Sequence, residues 1–253
     1  MRILAKSDRG KARDMNQDYF YVSDENSSPR LCILADGMGG YKGGEIASNL
    51  AVNSAKKYIE NNFKTITKDK EGISKLINSA VEYANLVVYE KAKEIIELKD
   101  MGTTLEICLI YNNKAYIGHV GDSRIYRIRN NSIKRLTTDH SYVEQLIKEG
   151  KITKEESYNH PKKNMLLKAL GCRSLVEPEI LCRPFLKGDI ILMCSDGLTN
   201  MLKDEEIYQI LLENPDKPVE KLIKKANDAG GSDNITLVII DNIDVGEEET
   251  KER

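Results

Sequence analysis

Two five-residue runs, Leu31-Cys32-Ile33-Leu34-Ala35 and Ile190-Ile191-Leu192-Met193-Cys194, are apolar at every position. Such runs suit strands covered on both faces, because a strand with one wet face would alternate. Shorter β-like runs lie at Ile3–Ser7, Tyr19–Val22, Thr104–Tyr111, Lys114–Val120, Ser123–Arg129 and Ile235–Asp241, and the second apolar run extends to Asp189–Cys194. Asn112-Asn113 between two of them reads as a two-residue hairpin turn, since Asn tolerates positive φ. Helical periodicity covers Gly44–Asn61 and Ile73–Glu97. In the second, Leu76, Ala80, Tyr83, Ala84, Val87 and Val88 recur at steps of three and four with charges between them. Further helices are expected at Asp204–Glu213 and Val219–Ala229, and Thr153-Lys154-Glu155-Glu156 has the form of a capping box. Strand clusters mixed with helical pairs predict a layered α+β domain rather than a regular βαβ series.

Composition narrows the reading. A chain of 253 residues can bury roughly 70–75% of its unfolded surface, so a full core needs no staples. No repeat or low-complexity linker divides it. The net charge of −2 lacks the basic excess that nucleic-acid binding needs. Cys32, Cys108, Cys172, Cys182 and Cys194 are odd in number, scattered and without a CxxC, which favours buried small hydrophobes over a disulfide framework. Met1-Arg2-Ile3-Leu4-Ala5-Lys6 is too short for a signal peptide, and no 18-residue apolar run occurs. The expectation is a cytoplasmic protein with no membrane partner, one domain over 1–242 and a charged, disordered tail over 243–253.

The chemistry is concentrated in four islands where Asp stands beside Gly, Asn or Ser: Asn16-Gln17-Asp18, Asp36-Gly37-Met38-Gly39-Gly40, Ser195-Asp196-Gly197 and Ser232-Asp233-Asn234. Each abuts a predicted strand. Taken singly, the glycine island reads equally as a strained turn, and the Asp196 and Asp233 islands read more often as a turn or a helix cap. Gathered at one place, four carboxylates would repel one another unless cations sat between them. An all-oxygen donor set suits Mg²⁺ or Mn²⁺, whereas three His and no HExxH argue against zinc. The glycine island is no Walker loop, for the chain has no GxxxxGK[ST].

Set in order, the islands and their neighbours resemble the metal-dependent type 2C serine/threonine protein phosphatases, in their compact bacterial branch. The match begins with Ser7-Asp8-Arg9-Gly10 and Arg13-x-x-Asn16-Gln17-Asp18 and continues through the glycine island to Met101-Gly102-Thr103-Thr104 and His119-Val120-Gly121-Asp122-Ser123-Arg124. Thr138-Asp139-His140-Ser141, Ala169-Leu170-Gly171, Ser195-Asp196-Gly197 and Asp233-Asn234-Ile235-Thr236 complete it.

The resemblance implies a four-layer αββα sandwich of two antiparallel sheets, with two Mn²⁺ or Mg²⁺ ions in a cleft at one end. It implies that Asp36 bridges both ions, that the Gly37 carbonyl and Asp18 serve one, and that Asp196 and Asp233 serve the other. A third ion would draw on Asp122 and Asp196, Arg13 would bind the substrate phosphate, and 138–171 would be a flap beside the cleft. Two such ions lower the pKa of water from 15.7 to around 7 and neutralise phosphate charge, which removes the need for a covalent nucleophile. The implied activity is hydrolysis of phosphoserine and phosphothreonine in proteins by a monomer opposing a Ser/Thr kinase.

Departures from the pattern qualify the detail. Met38 stands where eukaryotic relatives have a histidine proposed as general acid, so the leaving-group proton must come from metal-associated water or from His140, which is expected near the cleft. Tyr41 stands where bacterial relatives usually have His, and Gln17 replaces a eukaryotic Glu. His119 is expected to be packed or hydrogen-bonded, and His160-Pro161 to form a turn in the flap. The rival readings are a pseudophosphatase that binds phosphoproteins without turnover, and a phosphatase of an anti-sigma-factor antagonist.

Overall fold

The computed structural model describes residues 1–24 and 26–242; the tail 243–253 and the side chains of Tyr41 and Lys42 lie outside what is described. The chain opens with β1 (Arg2–Asp8), β2 (Asp18–Val22) and β3 (Arg30–Met38), followed by the long helices α1 (Gly40–Asn62) and α2 (Lys70–Glu94). β4 (Gly102–Thr103), β5 (Leu105–Tyr111), β6 (Lys114–Val120), β7 (Arg124–Arg129) and β8 (Ser132–Arg135) come next. Short helices α3 (Tyr142–Lys148) and α4 (Lys154–Ser157) precede β9 (Glu179–Pro184) and β10 (Ile190–Cys194). The chain finishes with α5 (Asp196–Thr199), α6 (Asp204–Glu213), α7 (Pro218–Asp228) and β11 (Ile235–Asp241).

All pairings are antiparallel, in two sheets. One has the order β1-β11-β10-β7-β8; the other has the order β2-β3-β5-β6-β9, with β4 paired to β3. Side-chain alternation assigns the layers. On β3, Leu31, Ile33 and Ala35 pack with α1 and α2, whereas Cys32 and Leu34 face the opposite sheet. On β10 and β11, Leu192, Leu237 and Ile239 pack with the helices α5 to α7, whereas Met193, Val238 and Ile240 face inward. Three apolar layers between four layers of structure, two sheets flanked by helices, give the αββα sandwich. No helix among the described residues is long and apolar enough to cross a membrane.

Most expected elements are present, with instructive shifts. Asn112 and Asn113 form the hairpin turn at φ 46 and 55, and Asn130-Asn131 form a second one at φ 48 and 57 between β7 and β8. Thr153 and Glu156 close the capping box of α4. α1 starts at Gly40, four residues before the expected Gly44. Its first turn owes little to propensity: the Gln17 side chain donates to the Gly40 carbonyl at 2.9 Å. A Cβ on Gly37 would lie 2.0 Å from the Gly44 carbonyl oxygen, so helix and strand end meet backbone to backbone. Cys32, Cys108 and Cys194 are buried as expected, while Cys172 is exposed.

One buried polar residue ties α2 to the far end of the flap. Asn85 donates to the carbonyls of Arg173 at 3.0 Å and Ser174 at 3.2 Å and accepts from the Gly171 N–H at 3.0 Å. Asn85→Ala strands these groups and is expected to cost about 2–3 kcal/mol. Urea unfolding measures it as a lower midpoint at unchanged slope; an unchanged midpoint would show that water replaces the amide without loss.

Candidate active site

Strand register, set by the apolar alternation, brings the carboxylates together. β2 and β3 pair with Asp18 directly opposite Asp36. Asp18 shares its face with Phe20 and Val22, and Asp36 shares its face with Cys32 and Leu34, so both point into the gap between the sheets where the apolar layer ends. β10 ends and β11 begins at this same end, which delivers Ser195-Asp196 and Asp233-Asn234. The β6–β7 turn adds Asp122.

Arg13, Asp36, Gly37, Asp122, Asp196 and Asp233 line one cavity of about 370 Å³. Asp18 is buried beneath them. Asp18 lies directly across the strand pair from Asp36, and Asp196 lines the same cavity as Asp36. Burial, and then repulsion from Asp18, Asp196, Asp122 and Asp233 in turn, pushes Asp36 well above the ordinary carboxylate range. Burial likewise raises Asp18, to about 7. Asp122 and Asp196 rise for the same reason, with Asp196 acting on the former and Asp233 on the latter.

Three of the carboxylates are also held by protein donors. Ser195 donates to Asp18 Oδ2 at 2.8 Å, Asn200 to Asp196 Oδ2 at 2.9 Å, and Arg13 Nη2 to Asp233 Oδ2 at 2.7 Å. Asp18 Oδ1 and Asp196 Oδ1 are buried with no partner. Orphaned carboxylate oxygens beside raised pKa values are the signature of a place that favours cations. Among the described residues, no three acidic, His or Cys side chains converge tightly enough to hold one ion by themselves. The donor set therefore fits a hard ion that keeps much of its shell as main-chain oxygen and water, as Mg²⁺ does and Zn²⁺ does not.

Residues that the motif reading quoted without a role do the holding. Thr104 Oγ1 accepts from the Asp36 N–H at 2.9 Å and shares a hydrogen bond of 2.9 Å with Ser123 Oγ, linking the two sides of the site. Thr103 Oγ1 donates to the Asp36 carbonyl at 2.8 Å. Asn234 donates to the carbonyls of Arg9 and Met15 and accepts from the Gln17 N–H, stapling the segment that carries Arg13 onto β11. A short polar residue beside each strand-end Asp was the available signal.

His140 is a correction. It lines neither the cavity above nor its neighbour. Its Nδ1 accepts from the Gly121 N–H at 3.2 Å, and its ring lies against that of His119. Burial, then the neighbouring charges of His119, Lys168 and Lys148, lower its pKa to about 3. It is a neutral acceptor set back from the cleft rather than a proton donor within it. A second cavity of about 360 Å³ shares Asp122, Asn164 and Asp196 with the first and runs between the flap and the α5–α6 junction.

Comparisons with known proteins bear on this geometry. A family model described as protein phosphatase 2C matches residues 9–230. The serine/threonine phosphatase Stp of Listeria welshimeri is 36% identical over 243 residues, covering 95% of this chain and 96% of its own length. The serine/threonine phosphatase of S. agalactiae superposes with a TM-score of 0.86 at 35% identity, over 94% of this chain and 98% of that one. The catalytic domain of the serine/threonine protein phosphatase PstP, solved with two manganese ions, gives a TM-score of 0.84 at 33% identity, over 96% and 98% of the two chains. With fold, family match and relatives in agreement over nearly its whole length, the chain belongs to the protein phosphatase 2C family.

Proposed function

We propose that this protein hydrolyses phosphoserine and phosphothreonine in other proteins, with Mn²⁺ or Mg²⁺ at the Asp36 cluster, and that a Ser/Thr kinase is the partner it opposes in the cytoplasm. The observation that carries the reading is the cross-strand pair Asp18–Asp36, joined by Asp196 beneath a cavity with Arg13 at its mouth. In this reading Asp36 would serve both ions, Gly37 and Asp18 one, and Asp196 and Asp233 the other, with Asp122 and Asp196 at a third position. Bound there, the ions supply activation of water and neutralisation of phosphoryl charge.

The chain's own residues bind, orient and exclude. Arg13 uses Nη2 on Asp233, and its other N–H donors remain for phosphate oxygens in the planar fork that suits them. Ser195 Oγ is occupied by Asp18 and the Thr236 N–H, so it is no nucleophile. The buried thiols of Cys32, Cys108 and Cys194 lie outside the cavity. Water is thus the attacking group. Met38 lines the cavity without a proton to give, and His140 is set back, so in this reading the proton for the leaving oxygen would come from metal-associated water. A phosphoprotein-binding module without turnover would have no use for the full carboxylate set, and every member is present.

Hydrolysis of a phosphothreonine peptide should require added Mn²⁺ or Mg²⁺ and cease in chelator; undiminished turnover by protein shown metal-free by elemental analysis would overturn the proposal. Asp36→Asn is expected to lower kcat by about a hundredfold or more, since one carboxylate serves two ions. Arg13→Ala should instead raise KM by about tenfold with a smaller change in kcat. Steady-state kinetics at saturating metal separates the two.

Stability offers an independent check. Asp18 moves from 3.8 to about 7, and Asp36 and Asp196 also move up. A group raised on folding favours the folded state fully below its unfolded pKa, and that contribution is lost as pH rises through the folded value. In chelator the melting temperature should therefore fall as pH passes from about 4 to about 8. Mn²⁺ should reverse the trend, because ionised carboxylates bind the cation. A flat pH profile in chelator would contradict the buried, mutually repelling cluster.

A further inference from the structure

The inward face of the second sheet is apolar along β5 and β6 until its last row before the site. Cys108 and Ile110 on β5, and Ala115 and Ile117 on β6, belong to the inter-sheet core. The next positions of the same parity are Glu106 and His119, directly paired across the strands and both 0% exposed. Their row continues to Leu34 on one side and Glu179 on the other. An ion pair in such a place is poor value for stability, since apolar residues of similar volume commonly serve as well or better. The position calls for a different reason.

The hydrogen bonds supply one. His119 Nδ1 meets Glu106 Oε1 at 2.6 Å, and Nε2 meets the Thr138 carbonyl at 2.8 Å. A carbonyl only accepts, so Nε2 carries a proton and the ring is fixed at both ends. The Thr138 N–H is taken by Glu179 at 3.0 Å. The His119 ring lies 4.6 Å from that of His140, at 31°. His140 in turn brackets one residue: its N–H donates to the Gly121 carbonyl at 2.7 Å, and its Nδ1 accepts the Gly121 N–H at 3.2 Å. Gly121 has φ +119, and a Cβ there would sit 2.5 Å from Thr104 Cγ2. The turn that presents Asp122 is therefore held between Thr104, which carries Asp36, and His140, which rests on His119.

We propose that the buried Glu106–His119 pair is a positioning element for turnover: acting through His140 and Thr138, it fixes the Gly121–Asp122 turn and the root of the flap against the Asp36 cluster. The proposal rests on the phosphatase reading above for its activity readout alone. Neither residue touches substrate. Displacing a catalytic constellation by about 1 Å can cost on the order of a hundredfold in rate, so the pair can matter to kcat without mattering to stability.

The double replacement Glu106→Leu with His119→Leu tests this, because an apolar pair should keep the fold while releasing His140. The expected result is an unfolding midpoint at or above that of the parent, kcat lower by about tenfold or more, and a smaller change in KM. In ¹⁵N-glycine spectra the Gly121 amide resonance should move or broaden. His140→Ala, which removes the acceptor on Gly121 and the ring that rests on His119, should reproduce the kinetic loss and the amide shift. It serves alone if the double variant does not fold. A folded variant with kcat within about twofold of the parent and an unmoved Gly121 resonance overturns the proposal, as does a lower midpoint with kcat intact, which is what a merely structural pair predicts. Should the parent itself lack metal-dependent phosphatase activity, the functional reading fails separately. The Gly121 resonance then decides: unmoved, it overturns the positioning role; moved, it supports it.

Discussion

Two carboxylates placed directly opposite each other on adjacent antiparallel strands are the constraint around which the molecule is organised. Like charges in that relation destabilise a sheet. Asp18 and Asp36 occupy it on the inward face, where the neighbouring inward positions Cys32 and Leu34 are core residues. The register cannot slip to relieve them, because a one-residue shift would turn every core side chain of β3 out of its layer. Apolar patterning thus holds two acids together against their repulsion. The cost appears as raised pKa values and partnerless oxygens. A divalent cation removes that cost, and the tendency to bind one follows from the packing.

The rest of the site follows from the sandwich having an open end. Antiparallel strands that finish there deliver polar residues from both sheets to one place: Asp18 and Asp36 from one, Asp196 and Asp233 from the other, and Asp122 from the β6–β7 turn that joins them. Small polar side chains convert that rough convergence into fixed geometry. Thr104 joins the Asp36 and Ser123 sides, Ser195 joins β10, β11 and Asp18, and Asn234 draws in the Arg13 segment. The side chains that make these hydrogen bonds are neutral, so they hold position without adding to the charge already present.

How much of this was legible in the sequence depended on whether the signal was local. The buried strands β3 and β10, both long helices, the capping box at Thr153 and the acidic islands could all be read, because each is written in adjacent or periodic residues. β9 and β8 could not: Glu179–Pro184 and Ser132–Arg135 are short and mixed, and they become strands by pairing with β6 and β7. The start of α1 was misplaced because glycines argue against a helix until Gly37 and Gly44 are seen in backbone contact. His140 was misread for the same reason. Its neighbour Asp139 suggested a cleft residue, but Asp139 is forked by Arg124, with Nη2 at 2.7 Å, and pulls the segment toward β7. Glu106 gave no signal at all, since one acid in a β-like run looks like a residue on the wet face of a strand.

The two cavities divide along this same line between what is fixed and what is free. The floor under Asp36 belongs to the sheets and is tied from several strands at once. The second compartment is walled by the flap, whose helices α3 and α4 bury no residue. The flap root is nevertheless gripped hard, at Thr138 by His119 and Glu179, and at Asp139 by Arg124 and Arg135. A surface with no buried side chains can change its residues at little cost in stability, provided its root stays where it is. An enzyme that must keep one reaction while choosing among phosphoproteins benefits from that arrangement. Residues of that wall can change without disturbing the Asp36 cluster on the floor. Asp122, Asn164 and Asp196, shared by both cavities, are where a change on one side would first be felt on the other.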